Sequence, residues 1–144
     1  MIYFDTSYLL KLYLDERGSE EVRRLAATTN RLACAWHGQA EMITSFHRKL
    51  REGVIDKDQL TVLVEQFLTE SHAGHLVWLP IGQPVIDLLT STVSTAPGNH
   101  YLRAADALHL ACASVHGFEV VHANDKHLLA AAPLFGLRGG NVVS

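Results

Sequence analysis

Four acidic residues stand where the chain passes from one predicted element to the next. Asp5 ends the first apolar run, Asp125 follows the last one, Glu41 lies about a turn into a predicted helix, and Asp106 lies near the start of another. Carboxylates gathered in one place repel one another, so a cluster of them either raises some of their pKa values or binds cations. Oxygen ligands favour hard cations, and Mg²⁺ is commonly held by a few carboxylates together with substrate phosphates. The acids therefore predict a phosphodiesterase site with one or two metal ions.

Asp106 is the least expected of the four, because its helix, RAADALHLACASVHG, is apolar over most of its circumference. A cation in a cleft in front of Asp106 would account for a carboxylate there. The alternative is a solvated stripe with Arg103 and His109, since steps of three residues place these side chains on one helix face. Asp125 has an alternative too, the ordinary turn that an Asn-Asp pair forms. The joint placement of the acids at strand ends and helix starts favours a shared site.

The elements that must position these acids alternate along the chain. Short apolar runs predict strands at 2–5, 32–35, 76–81 and 118–122, and the closing LFGLRGGNVVS adds a possible edge strand. Helical patterns lie between them, at 8–14 after a cap at Thr6 or Ser7, at 37–53, at 56–71 with Asp56 as cap, from Pro84 onward, and at 103–117. This order predicts a three-layer α/β/α sandwich with a central, mainly parallel sheet of four or five strands. Ligands of such sheets bind beyond the carboxyl ends of the strands.

Composition and charge set outer bounds on the function. The chain has 144 residues, of which 48% are hydrophobic, which predicts one globular domain over 1–144. A net charge of −3 provides no general basic field for nucleic acid, so any such binding needs a local patch. Cys34 and Cys112 form no C-x-x-C pair and are predicted to be small buried residues in a reducing compartment. No apolar run approaches the ~20 residues of a membrane helix, and the expected location is cytoplasmic, without membrane contact.

One local basic patch is present. The segment HRKLREG places Arg48, Lys49 and Arg51 at the end of the helix that carries Glu41, where they could position a nucleic-acid backbone. The same cations would also satisfy the dipole at a helix C-terminus. Lys11 and Arg103 are further candidate RNA contacts.

Histidines suggest a second kind of metal site. His122 and His127 bracket Asp125, as in a zinc hydrolase with mixed ligands, although no H-E-x-x-H signature supports zinc. His109 lies one turn after Asp106 and could orient that carboxylate, although a packed or exposed structural role is the favoured interpretation. The chain also lacks G-x-x-x-x-G-K-[ST] and G-x-G-x-x-G, which disfavours the nucleotide-binding folds that use them.

Four stretches resemble the PIN-domain ribonucleases, and most closely the VapC-type toxins of bacterial toxin–antitoxin pairs. They are YFDTSYLLKLYLDE, AEMITSFHRKLREG, LRAADALHLACASVHG and VVHANDKHLL, and together they span almost the whole chain. The resemblance implies that the catalytic acids are Asp5, Glu41, Asp106 and Asp125. It makes Thr6, Ser7 and Asn124 accessory polar groups near the metal. Lys126 and His127 follow Asp125 where some relatives carry a further acid, so the number of metal ions stays open.

The resemblance also implies an activity and partners. These are endonucleolytic cleavage of RNA, commonly a structured tRNA or rRNA, a VapB-like antitoxin, and a homodimer. With Mg²⁺ or Mn²⁺ as cofactor, Asp5, Asp106 and Asp125 are the expected ligands, and Glu41 is a ligand or orients the attacking water. Two alternatives stay open: a catalytically weak PIN-like module that binds RNA or an antitoxin, and a metal-dependent DNA nuclease.

Overall fold

A five-stranded parallel sheet forms the centre of the structure, a computed structural model that describes residues 1–144. The strands are β1 (Ile2–Phe4), β2 (Leu32–Ala35), β3 (Leu76–Leu79), β4 (Val120–His122) and β5 (Arg138–Gly140). They lie in the order β3-β2-β1-β4-β5, and every neighbouring pair is parallel. The predicted parallel sheet is confirmed, and the closing segment does supply its fifth, edge strand.

Seven α-helices cover the two faces of the sheet. They are α1 (Thr6–Tyr13), α2 (Ser19–Ala26), α3 (Gly38–Arg51), α4 (Lys57–His72), α5 (Gln83–Thr95), α6 (Ala104–Val115) and α7 (Lys126–Ala131), with a 3-10 helix at Ala132–Phe135. None of these helices is both long enough and apolar enough to span a membrane. The sequence patterns missed α2 and α7, which are short and bury few side chains of their own.

Alternating strand residues build two hydrophobic cores, one on each face of the sheet. Tyr3 and Val121 point to the face that α5 and α6 cover, while Phe4 and Cys34 point to the face covered by α1, α3 and α4. This alternation follows from the two-residue period of a strand. The predicted three-layer sandwich is therefore confirmed. Both cysteines are buried and free, as expected.

The predicted start of the first helix is wrong by two residues, since α1 begins at Thr6 and not at Tyr8. Asp5, not Thr6 or Ser7, is the N-cap of α1. Its backbone is extended, at φ −75° and ψ 175°, and its side chain accepts a hydrogen bond from Tyr8 N. Asp56 caps α4 as predicted, in a capping box with Gln59. A residue just ahead of a helix with a free side-chain oxygen satisfies one of its unpaired N–H groups.

The order of the strands brings the predicted acids to one edge. β1 lies between β2 and β4, and the chain leaves it first toward β2 and β3 and only later toward β4 and β5. This reversal opens a crevice at the carboxyl ends of β1 and β4, where ligands of parallel sheets bind. Asp5 follows β1 directly, and Asp125 follows β4 within three residues.

A close approach of α3 to β2 sets the position of Glu41. Gly38 begins α3 at a point where a Cβ atom would lie 2.5 Å from Cys34 Sγ, so a larger residue would push the helix away from the strand. Glu41 lies three residues further along, in the first turn of α3. The glycine therefore keeps this carboxylate at the edge of the sheet.

Candidate functional site

The four predicted acids line one polar cleft of about 460 Å³ at the carboxyl edge of the sheet. The other residues that line it are mostly polar or basic: Thr6, Ser7, Leu10, Lys11, Glu16, Ser45, Arg48, Lys49, Arg103, Ala105 and Asn124. A larger groove of about 590 Å³ lies between the end of α1 and the start of α4, and six of its eleven lining residues are hydrophobic. The convergence of titratable groups marks the polar cleft, and not the larger groove, as the candidate site.

Asp5 is the most deeply buried of the acids, with 4% of its surface exposed. One oxygen, Oδ1, accepts hydrogen bonds from Ser7 Oγ at 2.6 Å and from Tyr8 N at 3.1 Å. Burial raises the pKa of Asp5 to about 6, although His109 and the hydrogen bond from Ser7 act in the opposite direction. A nearby positive charge would stabilise the ionised form of this buried carboxylate.

Glu41 is held by a chain of hydrogen bonds that begins in the core. The Tyr3 hydroxyl oxygen accepts the N–H of Ala35 at 3.1 Å, so its proton points to His109 Nδ1, which lies 2.7 Å away. We therefore assign the ring proton of neutral His109 to Nε2, which donates to Glu41 Oε1 at 2.6 Å. Partial burial raises the pKa of Glu41, but the hydrogen bond from His109 and the other polar groups around the carboxylate together outweigh it, so the pKa lies below its ordinary value.

The predicted partner of His109 is wrong. His109 contacts Glu41 and Tyr3 and makes no hydrogen bond to Asp106, because its ring turns into the core, where only 1% of it is exposed. The alternative of a solvated stripe fails for the same reason. The sequence held one signal of this burial, since the residues from Leu108 to Ala113 leave His109 no polar neighbour.

His37 was not singled out from the sequence, yet it borders the same carboxylate. Its Nε2 lies 3.0 Å from the carbonyl oxygen of Ala105 and 3.4 Å from Glu41 Oε1. The ligand atoms of His37, Glu41 and His109 all lie within 4.8 Å of one another, a set of two imidazoles and a carboxylate that suits a transition metal. However, both Nε2 atoms carry the protons of the hydrogen bonds just described. We interpret the group as a hydrogen-bonded support for Glu41.

The zinc site considered around Asp125 does not form. His122 packs its ring against Phe4 and Tyr8, and His127 packs against Tyr101. Neither imidazole joins Asp125 in a group of possible metal ligands.

Asp106 and Asp125 form the other side of the cleft and share one cation. Arg103 Nε donates to Asp106 Oδ2 and its Nη2 donates to Asp125 Oδ2, each at 3.1 Å. The hydrogen bond and charge of Asp106, followed by the charge of Asp125, raise the pKa of Arg103. The other oxygen of Asp125 caps α7, where it accepts from the backbone N–H groups of His127 and Leu128.

The accessory residues tie Asp5 to the far end of the chain. Ser7 Oγ donates to Asp5 and accepts from the backbone N–H of Asn124 at 3.1 Å. The side-chain oxygen of Asn124 in turn accepts from Asn141 Nδ2 at 3.1 Å, a contact that no sequence pattern indicated. Thr6 lines the cleft beside them.

The predicted basic residues differ in their access to the cleft. Arg48 and Lys49 line it, with Glu52 at 3.7 Å and 3.9 Å, whereas the exposed Arg51 does not line it. Lys11 is 6% exposed and is tied to Glu16 at 3.0 Å and to the carbonyl oxygen of Arg17 at 2.7 Å. These contacts leave Lys11 little freedom to reach a ligand.

The donor set of the cleft fits a hard divalent cation. All four acids offer oxygen, and Asp5 and Asp125 each have one carboxylate oxygen committed to a helix N-terminus and a second that makes no hydrogen bond to the backbone. The Arg103 guanidinium between Asp106 and Asp125 occupies the place of a cation, which shows that the cleft accommodates positive charge there. Oxygen-only sites of this kind suit Mg²⁺ or Mn²⁺.

The chain belongs to the PIN-domain family, because the family model for the PIN domain matches residues 2–133. Met1 and the last eleven residues, which include Asn141, lie outside this match. No curated protein sequence shows a significant match.

Solved structures with the same fold come from several bacteria. The structure of FitAcB from Neisseria gonorrhoeae is 19% identical with a TM-score of 0.74, and the alignment covers 98% of this chain and 97% of that one. VapBC2 from Rickettsia felis, bound to a DNA fragment from its promoter, is 14% identical with a TM-score of 0.68 and covers 98% of both chains. Mycobacterium tuberculosis VapC20, a toxin that cleaves the sarcin–ricin loop, is 16% identical with a TM-score of 0.68, covering 91% of this chain and 95% of that one. At such identities these likenesses establish the fold.

Proposed function

We propose that this protein is a metal-dependent endoribonuclease and the toxin of a toxin–antitoxin pair, acting as one PIN-like nuclease domain over residues 1–144. The convergence of Asp5, Glu41, Asp106 and Asp125 from separate elements on one polar cleft is the observation that most strongly supports this function. A surface that only bound RNA would gain nothing from four carboxylates facing the phosphates, since they repel the backbone unless a cation lies between.

Each acid has a distinct role in the proposed reaction. Asp5, Asp106 and Asp125 hold Mg²⁺ or Mn²⁺, which when bound lowers the pKa of water and stabilises charge that develops on the phosphate. Glu41 orients the attacking water or completes the ligand set. The chain from Tyr3 through His109 fixes the direction of the Glu41 carboxylate before substrate arrives, which preorganises the site.

The basic residues of the cleft supply the substrate contacts. Arg48 and Lys49 hold phosphates of the RNA backbone, and Arg103 contributes once it leaves the acids; Arg51 and Lys11 have weaker roles because of their positions. A structured tRNA or rRNA is the proposed target, so that cleavage inhibits translation. The likeness to VapC20, whose substrate is the sarcin–ricin loop, supports an RNA substrate over DNA.

A cognate VapB-like antitoxin is the proposed protein partner, and a cytoplasmic homodimer the proposed form. The likenesses to VapBC2 and FitAcB, both of which are toxin–antitoxin complexes, support the antitoxin. A cytoplasmic location accords with the reduced state of the two buried cysteines.

Incubation of the purified, antitoxin-free protein with total bacterial RNA tests the proposal. Reactions contain Mg²⁺, Mn²⁺ or EDTA, and the RNA ends are mapped by sequencing. Asp5→Asn is the inactive variant, and Asp87→Asn, on the exposed face of α5, is the matched control that removes an acid outside the cleft. Discrete cuts that need both metal and Asp5 are the expected result.

Three other outcomes would contradict the proposal. Cuts that persist in Asp5→Asn would show that cleavage does not depend on Asp5 as a metal ligand. Cleavage of DNA in place of RNA would identify a DNA nuclease. No cleavage by the folded protein under any metal condition would favour a PIN-like module that binds RNA or an antitoxin.

A further inference from the structure

Arg103 occupies an unusual place, because its guanidinium bridges two of the acids from a position outside the core. It is the N-cap residue of α6, with an extended backbone and no side-chain cap of its own. Its side chain is 56% exposed and lies 5.8 Å from the centre of the Tyr101 ring. Exposed ion pairs contribute little to folding stability, so stabilisation of the fold does not explain the ion pairs of Arg103 with Asp106 and Asp125.

At Asp125, the oxygen that Arg103 binds is the one that remains for a metal ion. Asp125 Oδ1 is committed to the N-terminus of α7, so Oδ2 is the only oxygen of this carboxylate that remains for a cation, and Arg103 binds it. Arg103 also binds Oδ2 of Asp106. A guanidinium does not lose its charge in proteins, so it cannot yield to the metal by deprotonation and must move. A divalent cation and Arg103 therefore compete for the same two carboxylates.

Arg103 is free to move, unlike Lys11, which also lines the cleft. More than half of the Arg103 side chain is exposed, and its contacts are two side-chain carboxylates and the face of the Tyr101 ring, with no backbone partner. Lys11, by contrast, is 6% exposed and bound to a backbone carbonyl. Rotation of the Arg103 side chain needs no change in α6.

We propose that Arg103 is a built-in counter-ion that a divalent cation must displace from Asp106 and Asp125, and that the displaced guanidinium then binds a phosphate of the substrate. This inference rests on the metal site proposed above. It assigns Arg103 two opposite effects: it weakens metal binding in the free protein and strengthens substrate binding in the metal-loaded one. A residue that merely stabilised the start of α6 would have neither.

Calorimetric titration with Mn²⁺ at fixed ionic strength tests the first effect without relying on activity. Arg103→Gln is expected to lower the Mn²⁺ dissociation constant about three- to tenfold, as the loss of two exposed ion pairs allows. Arg48→Gln is the matched control, since it removes the same charge from the same cleft at a residue that contacts neither acid. It is expected to change the constant less than about twofold, because exposed charges at longer range are screened. Thermal melting in EDTA verifies that both variants are folded.

Nuclear magnetic resonance reports the displacement itself. In the wild type, Mg²⁺ is expected to shift the Nε–Hε signal of Arg103, which is identified by its absence from Arg103→Gln, toward that of a free guanidinium. In the RNA assay, Arg103→Gln is expected to raise KM severalfold even though its affinity for the metal has increased, because the variant lacks the contact with the substrate phosphate.

The outcomes separate this inference from the function on which it rests. Mn²⁺ binding that depends on Asp106 but is unchanged or weaker in Arg103→Gln, or equally tightened in Arg48→Gln, would overturn the role of Arg103 and leave the metal site intact. Absence of Mn²⁺ binding in both the wild type and Arg103→Gln would overturn both. Tighter binding confined to Arg103→Gln, with the signal shift, would support the inference.

Discussion

The two sides of the acidic cleft are built on different principles. On the side of Asp5 and Glu41, the carboxylates are held by the half-buried Ser7 and the buried His109 ring, which are themselves held by the backbone and by Tyr3. On the side of Asp106 and Asp125, the carboxylates are bridged by one exposed arginine. The first side is fixed by the fold, whereas the second is neutralised by a partner that can be replaced.

This difference accords with the separate demands of catalysis and of metal binding. A group that orients water must have its direction set before the reaction, because reorganisation during the reaction would raise the barrier. Ligands that take up a cation from solution must be accessible and must not carry uncompensated charge in its absence. The fold meets the first demand with buried hydrogen bonds and the second with Arg103.

The largest expected effect comes from Asp5→Asn, which removes a charge from the fixed side. Cleavage of RNA should fall more than about a hundredfold, since the loss of a direct ligand exceeds that of an outer partner. The melting temperature in EDTA should not fall, because asparagine keeps the oxygen that caps α1 and removes a buried charge. Cleavage kinetics and thermal melting measure the two parts, and activity close to that of the wild type would remove Asp5 from the mechanism.

Breaking the support of Glu41 should have the next largest effect. His109→Leu should lower kcat about ten- to a hundredfold, as is usual for partners that orient a functional carboxylate. His109→Gln, whose amide N–H can donate to Glu41, should recover part of this loss with KM unchanged. Steady-state kinetics of the two variants test the claim; equal losses in both, matched by equal losses of stability, would reduce His109 to a packing role.

Tyr3→Phe should have a smaller effect on cleavage and a clear effect on stability. The variant leaves the buried N–H of Ala35 without its acceptor, which costs about 1–3 kcal/mol of the free energy of unfolding. Urea denaturation measures this cost, with Tyr101→Phe as the control at an exposed ring. A stability equal to that of the control would show that the Tyr3 hydroxyl does not support the site.

The smallest expected effect concerns the basic residues around the cleft. Arg48→Gln should raise KM for RNA a fewfold and lower the salt dependence by about one phosphate contact, whereas Arg51→Gln should change neither. The contrast follows from position, since Arg48 lines the cleft and Arg51 does not. Measurement of KM at several salt concentrations tests this difference between the two variants. Equal effects of both would indicate a general electrostatic attraction for RNA in place of a local contact at Arg48.

The sequence was sufficient to predict the elements whose signals are local. Asp5 and Asp125 follow apolar runs of β-forming residues, and Asp56 precedes a helical pattern, so the strands, the cap and the shared edge could be predicted. The pairing of strands then brought the acids together as expected, because parallel strands end on the same side.

What the sequence did not predict depends on distant contacts. The partner of His109 is set by Tyr3, 106 residues away, and the support of Asn124 by Asn141 depends on how the closing segment crosses the sheet. His37 is the exception, because it precedes Glu41 by four residues at the start of α3, a local spacing that the sequence does show. The helix α2 was missed although its signal is local, since Val22, Leu25 and Ala26 lie at helical spacing and pack against one of the two cores.

A crystal structure with Mn²⁺, located by its anomalous scattering, would test the contrast between the two sides most directly. The expected result is Mn²⁺ bound by Asp5, Asp106 and Asp125, with Arg103 moved away from Asp106 and Asp125 and with Tyr3, His109 and Glu41 in their present contacts. Manganese on the imidazoles of His37 and His109, or an Arg103 that still bridges Asp106 and Asp125 beside a bound ion, would contradict the account.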